Sequence, residues 1–282
     1  MHTLAKALAE ARRTIDAIDA RVLLAHVLDC DSAYLAAHGE THMAPEACER
    51  YFAAVGRRAA GEPVAYITGH REFYGLDFRI TPAVLIPRPE SELLIELAIA
   101  DMPERAAWEV LDLGTGSGCL AISIARERPR ARVLGIDRSA SAIALAQENA
   151  ERLGVPGVAF EASDWFEALA GRSFDLIVAN PPYVAADDPH LAQGDPRYEP
   201  QAALAGGADG LSAIRHIVQR APRYLRNGGR ILFEHGHDQG ARCRALLAAA
   251  GFRSITTARD LGGHERVAVG RRLDGHPGEP LH

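Results

Sequence analysis

WEVLDLGTGSG, residues 108–118, is the stretch that decides the fold, because a run of strand-forming residues passes directly into three alternating glycines. The helix-forming run CLAISIARER, residues 119–128, follows at once. A strand, a tight glycine turn and a helix in this order are typical of the first unit of a nucleotide-binding sheet, where backbone N–H groups approach the ligand closely. The pattern therefore predicts a ligand site at this turn, although a glycine-rich turn without a ligand is the simpler alternative.

On both sides of this stretch, helical and strand-like runs alternate along the chain. The expected strands are residues 108–114, 131–137, 158–162, 174–180, 228–236 and 266–272, and the expected helices are residues 91–100, 119–128, 141–153, 211–225 and 240–252. Strands that alternate with helices predict an α/β fold with a doubly wound, mostly parallel sheet.

The N-terminal part of the chain has a different pattern, in which apolar residues such as Leu4, Leu8 and Ile15 recur near helical spacing. From Phe73 the run FYGLDFRITPAVLI alternates instead, which predicts a pair of short strands. We therefore expect a helical bundle at residues 1–72, a β-hairpin linker at 73–88, the α/β domain at 89–273 and a frayed tail at 274–282.

Charge and composition argue against whole classes of function. The 282 residues carry a net charge of −6, and residues 1–86 hold nine Lys or Arg against eleven Asp or Glu, a balance of −2. A protein that binds chiefly by neutralising phosphates would need a basic region, so we expect no direct nucleic-acid binding. The scattered cysteines and the absence of a long apolar run near the N-terminus predict a cytoplasmic protein with no membrane segment.

Asp137 identifies the kind of ligand. It ends the second predicted strand, 19 residues after Gly118, where a carboxylate can accept hydrogen bonds from both ribose hydroxyls. The glycines are spaced GxGxG rather than GxGxxG, and Asp112 precedes them, where an acid suits a cationic methionine group. This favours S-adenosylmethionine over a dinucleotide, with a solvated strand-end aspartate as the plain alternative.

Trp165 follows the third predicted strand, directly after Ser163 and Asp164. In a doubly wound sheet the loops at the carboxyl ends of the strands meet at one crevice. The tryptophan is therefore expected either to flank an adenine there or to be an ordinary core residue.

The tetrapeptide Asn180-Pro181-Pro182-Tyr183 ends the fourth predicted strand, opposite the glycine turn. The lone pair of an amide or aromatic amino nitrogen is delocalised, so its methylation requires hydrogen-bond acceptors that hold and reshape the nitrogen. The Asn180 side-chain carbonyl and the Pro181 backbone carbonyl can each accept one N–H, while Tyr183 is expected to form an apolar wall along the amide. A purely structural proline turn is the alternative.

At these residues the chain resembles the peptide-chain release factor glutamine N5-methyltransferases, the HemK-like family, over nearly its whole length. The segments that carry the resemblance are residues 71–73 (REF), 85–90 (LIPRPE), 112–118 (DLGTGSG), 163–166 (SDWF), 180–183 (NPPY), 188–190 (DPH) and 197–200 (RYEP). In the PRPxTE segment, Ser91 stands where Thr is usual, and it keeps the hydroxyl.

The resemblance implies a seven-stranded class I methyltransferase sheet, with the N-terminal bundle helping to bind class I release factors. It implies that Gly114, Thr115, Gly116, Ser117, Gly118, Asp137, Trp165 and Asn180 bind S-adenosylmethionine, which leaves as S-adenosylhomocysteine. It also implies that Asn180, Pro181, Pro182 and Tyr183 bind the glutamine of the Gly-Gly-Gln motif, with Asn180, Pro181 and Tyr183 as the catalytic residues.

Two other functions fit parts of the pattern. An adenine-N6 methyltransferase acting on DNA or RNA faces the same lone-pair problem, and the NPPY tetrapeptide suits both, but the acidic balance speaks against it. A non-catalytic binding module with a methyltransferase fold would not need the glycine turn, Asp137 and NPPY together. No metal is expected, since His235 and His237, the densest histidine pair, lack a third residue at metal-ligand spacing.

Overall fold

The computed structural model describes residues 2–273, and the expected frayed tail at 274–282 lies outside them. The N-terminal part is a bundle of five helices: α1 (Leu4–Ala11), α2 (Ala17–Leu28), α3 (Ser32–Ala37), α4 (Pro45–Ala59) and α5 (Val64–Thr68). Side-chain oxygens of Thr3, Asp16 and Asp31 accept backbone N–H bonds at the first turns of α1, α2 and α3. The bundle has its own apolar core, in which the Tyr51 hydroxyl donates to the Ala20 carbonyl.

A hairpin connects the bundle to the sheet. Its strands are β1 (His70–Phe73) and β2 (Leu76–Arg79), which pair antiparallel. The hairpin begins three residues before the predicted start at Phe73, because Tyr74 and Gly75 adopt left-handed φ angles of 51° and 69° and form the two-residue turn themselves. The predicted pair of short strands is present, but it spans residues 70–79.

The main sheet has seven strands in the order β5-β4-β3-β6-β7-β9-β8. They are β3 (Glu109–Leu113), β4 (Arg132–Asp137), β5 (Val158–Ala162), β6 (Phe174–Ala179), β7 (Leu225–Glu234), β8 (Arg253–Arg259) and β9 (Glu265–Arg271). The first five strands in that order are parallel, and β9 is antiparallel to both of its neighbours. The predicted fold class is confirmed.

Helices cover both faces of the sheet: α6 (Glu92–Ala100), α7 (Cys119–Glu127), α8 (Ala140–Leu153), α10 (Ser212–Arg220) and α11 (Gly240–Ala249), while the short α9 (Gln201–Leu204) lies in the loop after β6. Alternate residues of a strand point to opposite faces, so Val110 packs in one core with α6, α7 and α8 while Leu111 packs in the other with α10 and α11. The strand order reverses beside β3, which has β4 on one side and β6 on the other, so a crevice opens at their carboxyl ends.

Two elements differ from the sequence prediction. The edge strand β8 was not predicted, because its residues are mostly polar and only partly buried. The helix expected over residues 211–225 ends at Arg220, since Pro222 cannot continue the hydrogen-bond ladder, and a 3-10 turn follows. None of the helices between residues 2 and 273 is both long and apolar enough to cross a membrane.

Candidate active site

A cavity of about 680 Å³ lies at the carboxyl ends of β3, β4 and β6. The predicted site residues that line it are Gly114, Thr115, Gly116, Ser117, Asp137, Trp165, Asn180 and Pro182. Gly118, Pro181 and Tyr183, which were predicted with them, do not line it. One continuous cavity therefore contacts both the glycine turn and the NPPY tetrapeptide.

The glycines of the turn have different surroundings. Gly114, Gly116 and Gly118 have φ angles of 75°, 55° and 82°, which L-residues with a side chain rarely adopt. A Cβ at Gly116 would meet nothing within 4 Å, whereas a Cβ at Gly118 would lie 3.0 Å from Ile122 and 3.2 Å from Phe160. Gly116 thus faces open space at the cavity, while Gly118 allows helix α7 to pack closely on the sheet.

Asp112 lies beneath the turn and is fully buried. Its Oδ2 accepts a hydrogen bond of 2.7 Å from the Thr115 hydroxyl, and its Oδ1 has no hydrogen-bond partner among the described residues. Burial raises the pKa of Asp112 to about 7. A buried carboxylate of this kind gains most from a cationic ligand, because a nearby positive charge would stabilise its ionised form.

Asp137 is held by the backbone. The Gly116 N–H donates to its Oδ2 at 3.1 Å, and the Ser139 N–H donates to its Oδ1 at 2.9 Å. A carboxylate has about four acceptor positions, so two of them stay available for ligand hydroxyls. The backbone bonds fix the direction in which those positions point.

Trp165 adopts a left-handed φ of 48°, which is unusual for a bulky residue. The Ser163 hydroxyl donates to the Trp165 carbonyl at 2.8 Å and stabilises this conformation. The indole lines the cavity, packs against the core around Phe166, and lies with its ring centroid 6.2 Å from that of His216. Both expected environments of Trp165, crevice and core, are therefore present. Burial lowers the pKa of His216, so this imidazole is neutral near pH 7.

Asn180 is oriented by a buried network that the sequence did not predict. Its Nδ2 donates to the Ser91 Oγ at 2.9 Å, and the Ser91 hydroxyl donates to the Glu234 Oε2 at 2.5 Å. The Tyr183 hydroxyl donates to the other carboxylate oxygen of Glu234 at 2.8 Å. Ser91 and Glu234 are 2% and 1% exposed, so no bulk water competes for these bonds.

Tyr183 does not line the cavity, and its expected role as an apolar wall along the substrate amide stays a prediction. After the two prolines the chain turns back toward β7, where Glu234 accepts the Tyr183 hydroxyl bond and the ring packs against the core. Residues Ala179 and Phe233 are direct partners in the β6–β7 pairing, so the next residues, Asn180 and Glu234, lie side by side where that pairing ends.

Residues 204–210 hold the backbone directly after NPPY in place, and the sequence did not predict this contact. The Val184 N–H donates to the Leu204 carbonyl at 3.0 Å, and the Gly206 N–H donates to the Val184 carbonyl at 2.8 Å. The Gln239 side chain donates to the Tyr183 carbonyl at 2.9 Å. A Cβ at Gly210 would lie 2.3 Å from that same carbonyl oxygen, so only glycine fits there. The closely spaced glycines of the run AGGADG, residues 205–210, were the available signal.

The segment 197–200 connects this region to the bundle. The buried carboxylate of Glu199 pairs with Arg88 and accepts the Ile86 N–H at 3.3 Å. The Tyr198 hydroxyl donates to the Ala60 carbonyl at 2.9 Å, and Arg58 of α4 pairs with Asp195 at 3.0 Å. The loop after NPPY therefore contacts both the linker and the bundle.

No group of three or more His, Cys, Asp and Glu side chains that could hold a metal ion occurs within residues 2–273. His235 is fully buried, and its Nδ1 lies 2.8 Å from the Gly236 carbonyl. The ring of His237 instead packs edge-on against His264.

Known proteins resemble the chain over nearly its whole length. Residues 1–69 match the family model described as PrmC N-terminal domain, and residues 104–251 match the one described as Methyltransferase domain. The release factor glutamine methyltransferase of Xylella fastidiosa (strain 9a5c) is 50% identical over 94% of this chain and 96% of its own. The protein of the same name from Burkholderia pseudomallei (strain K96243) is 50% identical over 91% and 92%.

A solved structure agrees in fold. A methyltransferase from Pyrococcus furiosus superposes with a TM-score of 0.55 and 17% identity, covering 77% of this chain and 97% of its own. At that identity the likeness extends to the fold alone.

Proposed function

Because this chain belongs to the family of release factor glutamine methyltransferases, we propose that it transfers a methyl group from S-adenosylmethionine to the side-chain amide nitrogen of a glutamine. The glutamine is that of the Gly-Gly-Gln motif in class I peptide-chain release factors, so the reaction modulates translation termination. The observation that carries the proposal is the fixed Asn180 amide, which lines the same cavity as the glycine turn.

The residues around the turn fit S-adenosylmethionine. When bound, this cofactor supplies an electrophilic methyl group on a sulfonium cation. Thr115, Gly116 and Ser117 line the cavity, and the unpartnered Oδ1 of Asp112 lies beneath them and suits a positively charged ligand. Asp137 keeps two acceptor positions for ribose hydroxyls, and Trp165 offers an aromatic face to the adenine. In this proposal Gly114 completes the turn and Gly118 contributes through packing.

On the acceptor side, two oxygens are available to hold the glutamine amide. The Asn180 Nδ2 is already bonded to Ser91, which leaves its carbonyl oxygen for one substrate N–H. The Pro181 carbonyl accepts no hydrogen bond from the described residues, so it is free for the second N–H. Two acceptors in fixed positions hold the amide nitrogen so that its lone pair can be directed at the methyl group. Tyr183 acts in this scheme through Glu234, and Pro182 lines the cavity beside them.

We propose that the bundle, residues 1–72, contributes to release-factor binding and that residues 73–88 link it to the catalytic domain, residues 89–273. The contacts of Tyr198 and Asp195 with the bundle support this, because they join the loop after NPPY to α4. We expect the protein in the cytoplasm, because its four cysteines are free thiols and the cytoplasm is reducing.

The relatives do not favour the adenine-N6 alternative. Incubation of purified release factor with the enzyme and isotopically labelled cofactor, followed by mass spectrometry of the Gly-Gly-Gln peptide, tests both. We expect one labelled methyl group on the glutamine and none on a release factor with Gln→Glu at that position. Comparable labelling of adenine in DNA or RNA, with no labelled glutamine, would overturn the proposal.

A further inference from the structure

The network of Asn180, Ser91, Glu234 and Tyr183, which we call the carboxylate network, determines where each proton lies. In the structure both oxygens of Glu234 accept, because Ser91 and Tyr183 each donate their single hydroxyl proton to it. Ser91 then has only lone pairs left for Asn180. The group of Asn180 that faces Ser91 must therefore be its NH2, and its carbonyl oxygen points away from Ser91.

Glu234 is buried among groups that act on its pKa in both directions. Burial raises the pKa of Glu234, and the neighbouring Glu90 acts in the same direction. The two hydroxyl donors and Arg266, on the adjacent strand β9, lower it. The side chain is buried, and its two donors come from separate segments of the chain.

We propose that Glu234 is a positioning residue that acts through Ser91 to orient the Asn180 amide, so that a carbonyl oxygen rather than an NH2 group faces the substrate nitrogen. The inference rests on the proposed function for the identity of that substrate. Its structural part concerns only the direction of three side-chain hydrogen bonds. Neither Glu234 nor Ser91 needs to contact the glutamine.

A side chain at position 234 that donates to Ser91 would reverse the direction of the hydrogen bonds from Glu234 to Asn180. In Glu234→Gln, the new NH2 donates to Ser91, the Ser91 proton turns to Asn180, and the Asn180 amide flips to accept it. Every hydrogen bond is still made, but an NH2 group now faces the substrate nitrogen. The other choice, donation to Tyr183, would leave the tyrosine proton without an acceptor in the network, so the flip through Ser91 is preferred.

The first test is single-turnover methyl transfer by Glu234→Gln at saturating cofactor and release factor. Losing a preorganised acceptor typically lowers the rate ~10²–10³-fold, and we expect a fall of that size with cofactor affinity unchanged. Glu109→Gln is the matched control, because Glu109 lies at the amino end of the interior strand β3, away from the cavity, and pairs with Arg132. A Glu234→Gln rate within about twofold of wild type overturns the proposal.

A second test separates orientation from general structural damage. In Asn180→Asp both side-chain oxygens are acceptors, so nothing remains to be oriented, but two carboxylates then compete for one Ser91 proton. Adding Glu234→Gln relieves this competition, since the glutamine NH2 donates to Ser91 and Ser91 donates to Asp. We expect Glu234→Gln to slow the wild-type enzyme yet accelerate the Asn180→Asp variant. Slowing in both backgrounds would refute the orienting role.

A spectroscopic readout does not depend on catalysis. The side-chain NH2 resonances of Asn180 can be identified in ¹⁵N-labelled protein by their disappearance in Asn180→Asp. We expect them to shift in Glu234→Gln and Ser91→Ala, and to stay near their wild-type positions in Ser91→Thr, which keeps the hydroxyl. Unchanged resonances in Glu234→Gln overturn the network even if glutamine is methylated. Absence of glutamine methylation by the wild-type enzyme instead refutes the proposed function.

Discussion

The two halves of the cavity are built in opposite ways. The half around the glycine turn comes from two neighbouring strands and uses backbone groups, such as the Gly116 N–H that fixes Asp137. The half around NPPY is assembled from side chains far apart in the chain, with Ser91 and Glu234 separated by 143 positions. The first half depends on local conformation, whereas the second depends on the whole domain being folded.

The largest effect is expected from Asn180→Ala, which removes one of the two substrate acceptors. Single-turnover methyl transfer should slow ~10²–10³-fold, the usual result of deleting a transition-state hydrogen bond. Cofactor affinity is measured separately by calorimetry, because Asn180 is also expected to contact the cofactor, and the rate at saturating cofactor isolates the loss of the acceptor. A near-wild-type rate with glutamine still methylated would contradict the assignment of Asn180.

The clamp on the NPPY backbone should be the next most sensitive feature. Gly210→Ala places a methyl group against the Tyr183 carbonyl at a φ of 72°, so we expect it to lower the free energy of unfolding by about 3 kcal/mol. In Gly116→Ala the new methyl group meets no neighbour, so only the left-handed φ of 55° lowers the free energy of unfolding, by about 1 kcal/mol.

Gly56→Ala provides the control for both glycine variants, because Gly56 lies inside α4 with open space around it. It should stabilise the protein by about 0.5–1 kcal/mol. Urea unfolding of the three variants measures their free energies of unfolding and tests this order. Equal decreases in Gly116→Ala and Gly210→Ala would remove the contrast between the two halves of the cavity.

Asp137→Ala tests the cofactor half directly. Losing hydrogen bonds from the ribose to a charged acceptor should weaken cofactor binding by ~1.5–3 kcal/mol. The methyl-transfer rate at saturating cofactor should stay close to wild type, which is the reverse of the Asn180→Ala pattern. Unchanged calorimetric affinity would show that Asp137 is a solvated strand-end residue.

The smallest effect concerns pH. Burial raises the pKa of Asp112 to about 7, and only the ionised carboxylate attracts a cationic ligand. The affinity for the cofactor is therefore highest well above pH 7 and falls as the pH is lowered past this pKa. We expect cofactor binding to weaken about tenfold between pH 8 and pH 6. The ligand amine also titrates in this range, so the measurement is the difference from Asp112→Asn. An identical pH dependence in that variant would exclude Asp112 as the cause.

The same division explains what the sequence could predict. The glycine turn, Asp137 and the parallel strands are encoded by short, contiguous patterns, so they were predictable without any knowledge of packing. The contact of Glu234 with the site was not predictable, because an acidic residue at a strand end is usually solvated. Only the register of β6 with β7 brings Glu234 beside Asn180. The hydrogen bond of the Tyr183 hydroxyl was not predictable either, since its partner Glu234 lies 51 positions away.

The buried side chain of Asn149 joins three segments: its Oδ1 accepts the Arg79 N–H at 2.8 Å, and its Nδ2 donates to the carbonyls of Arg79 and Ser117 at 3.0 Å. Arg79 ends the hairpin that follows the bundle, and Ser117 belongs to the glycine turn. A single amide thus belongs to both the domain connection and the ligand loop. Thermodynamic linkage requires any influence through this contact to be reciprocal. If a partner bound to the bundle changes the affinity for the cofactor, then bound cofactor must change the affinity for that partner by the same factor.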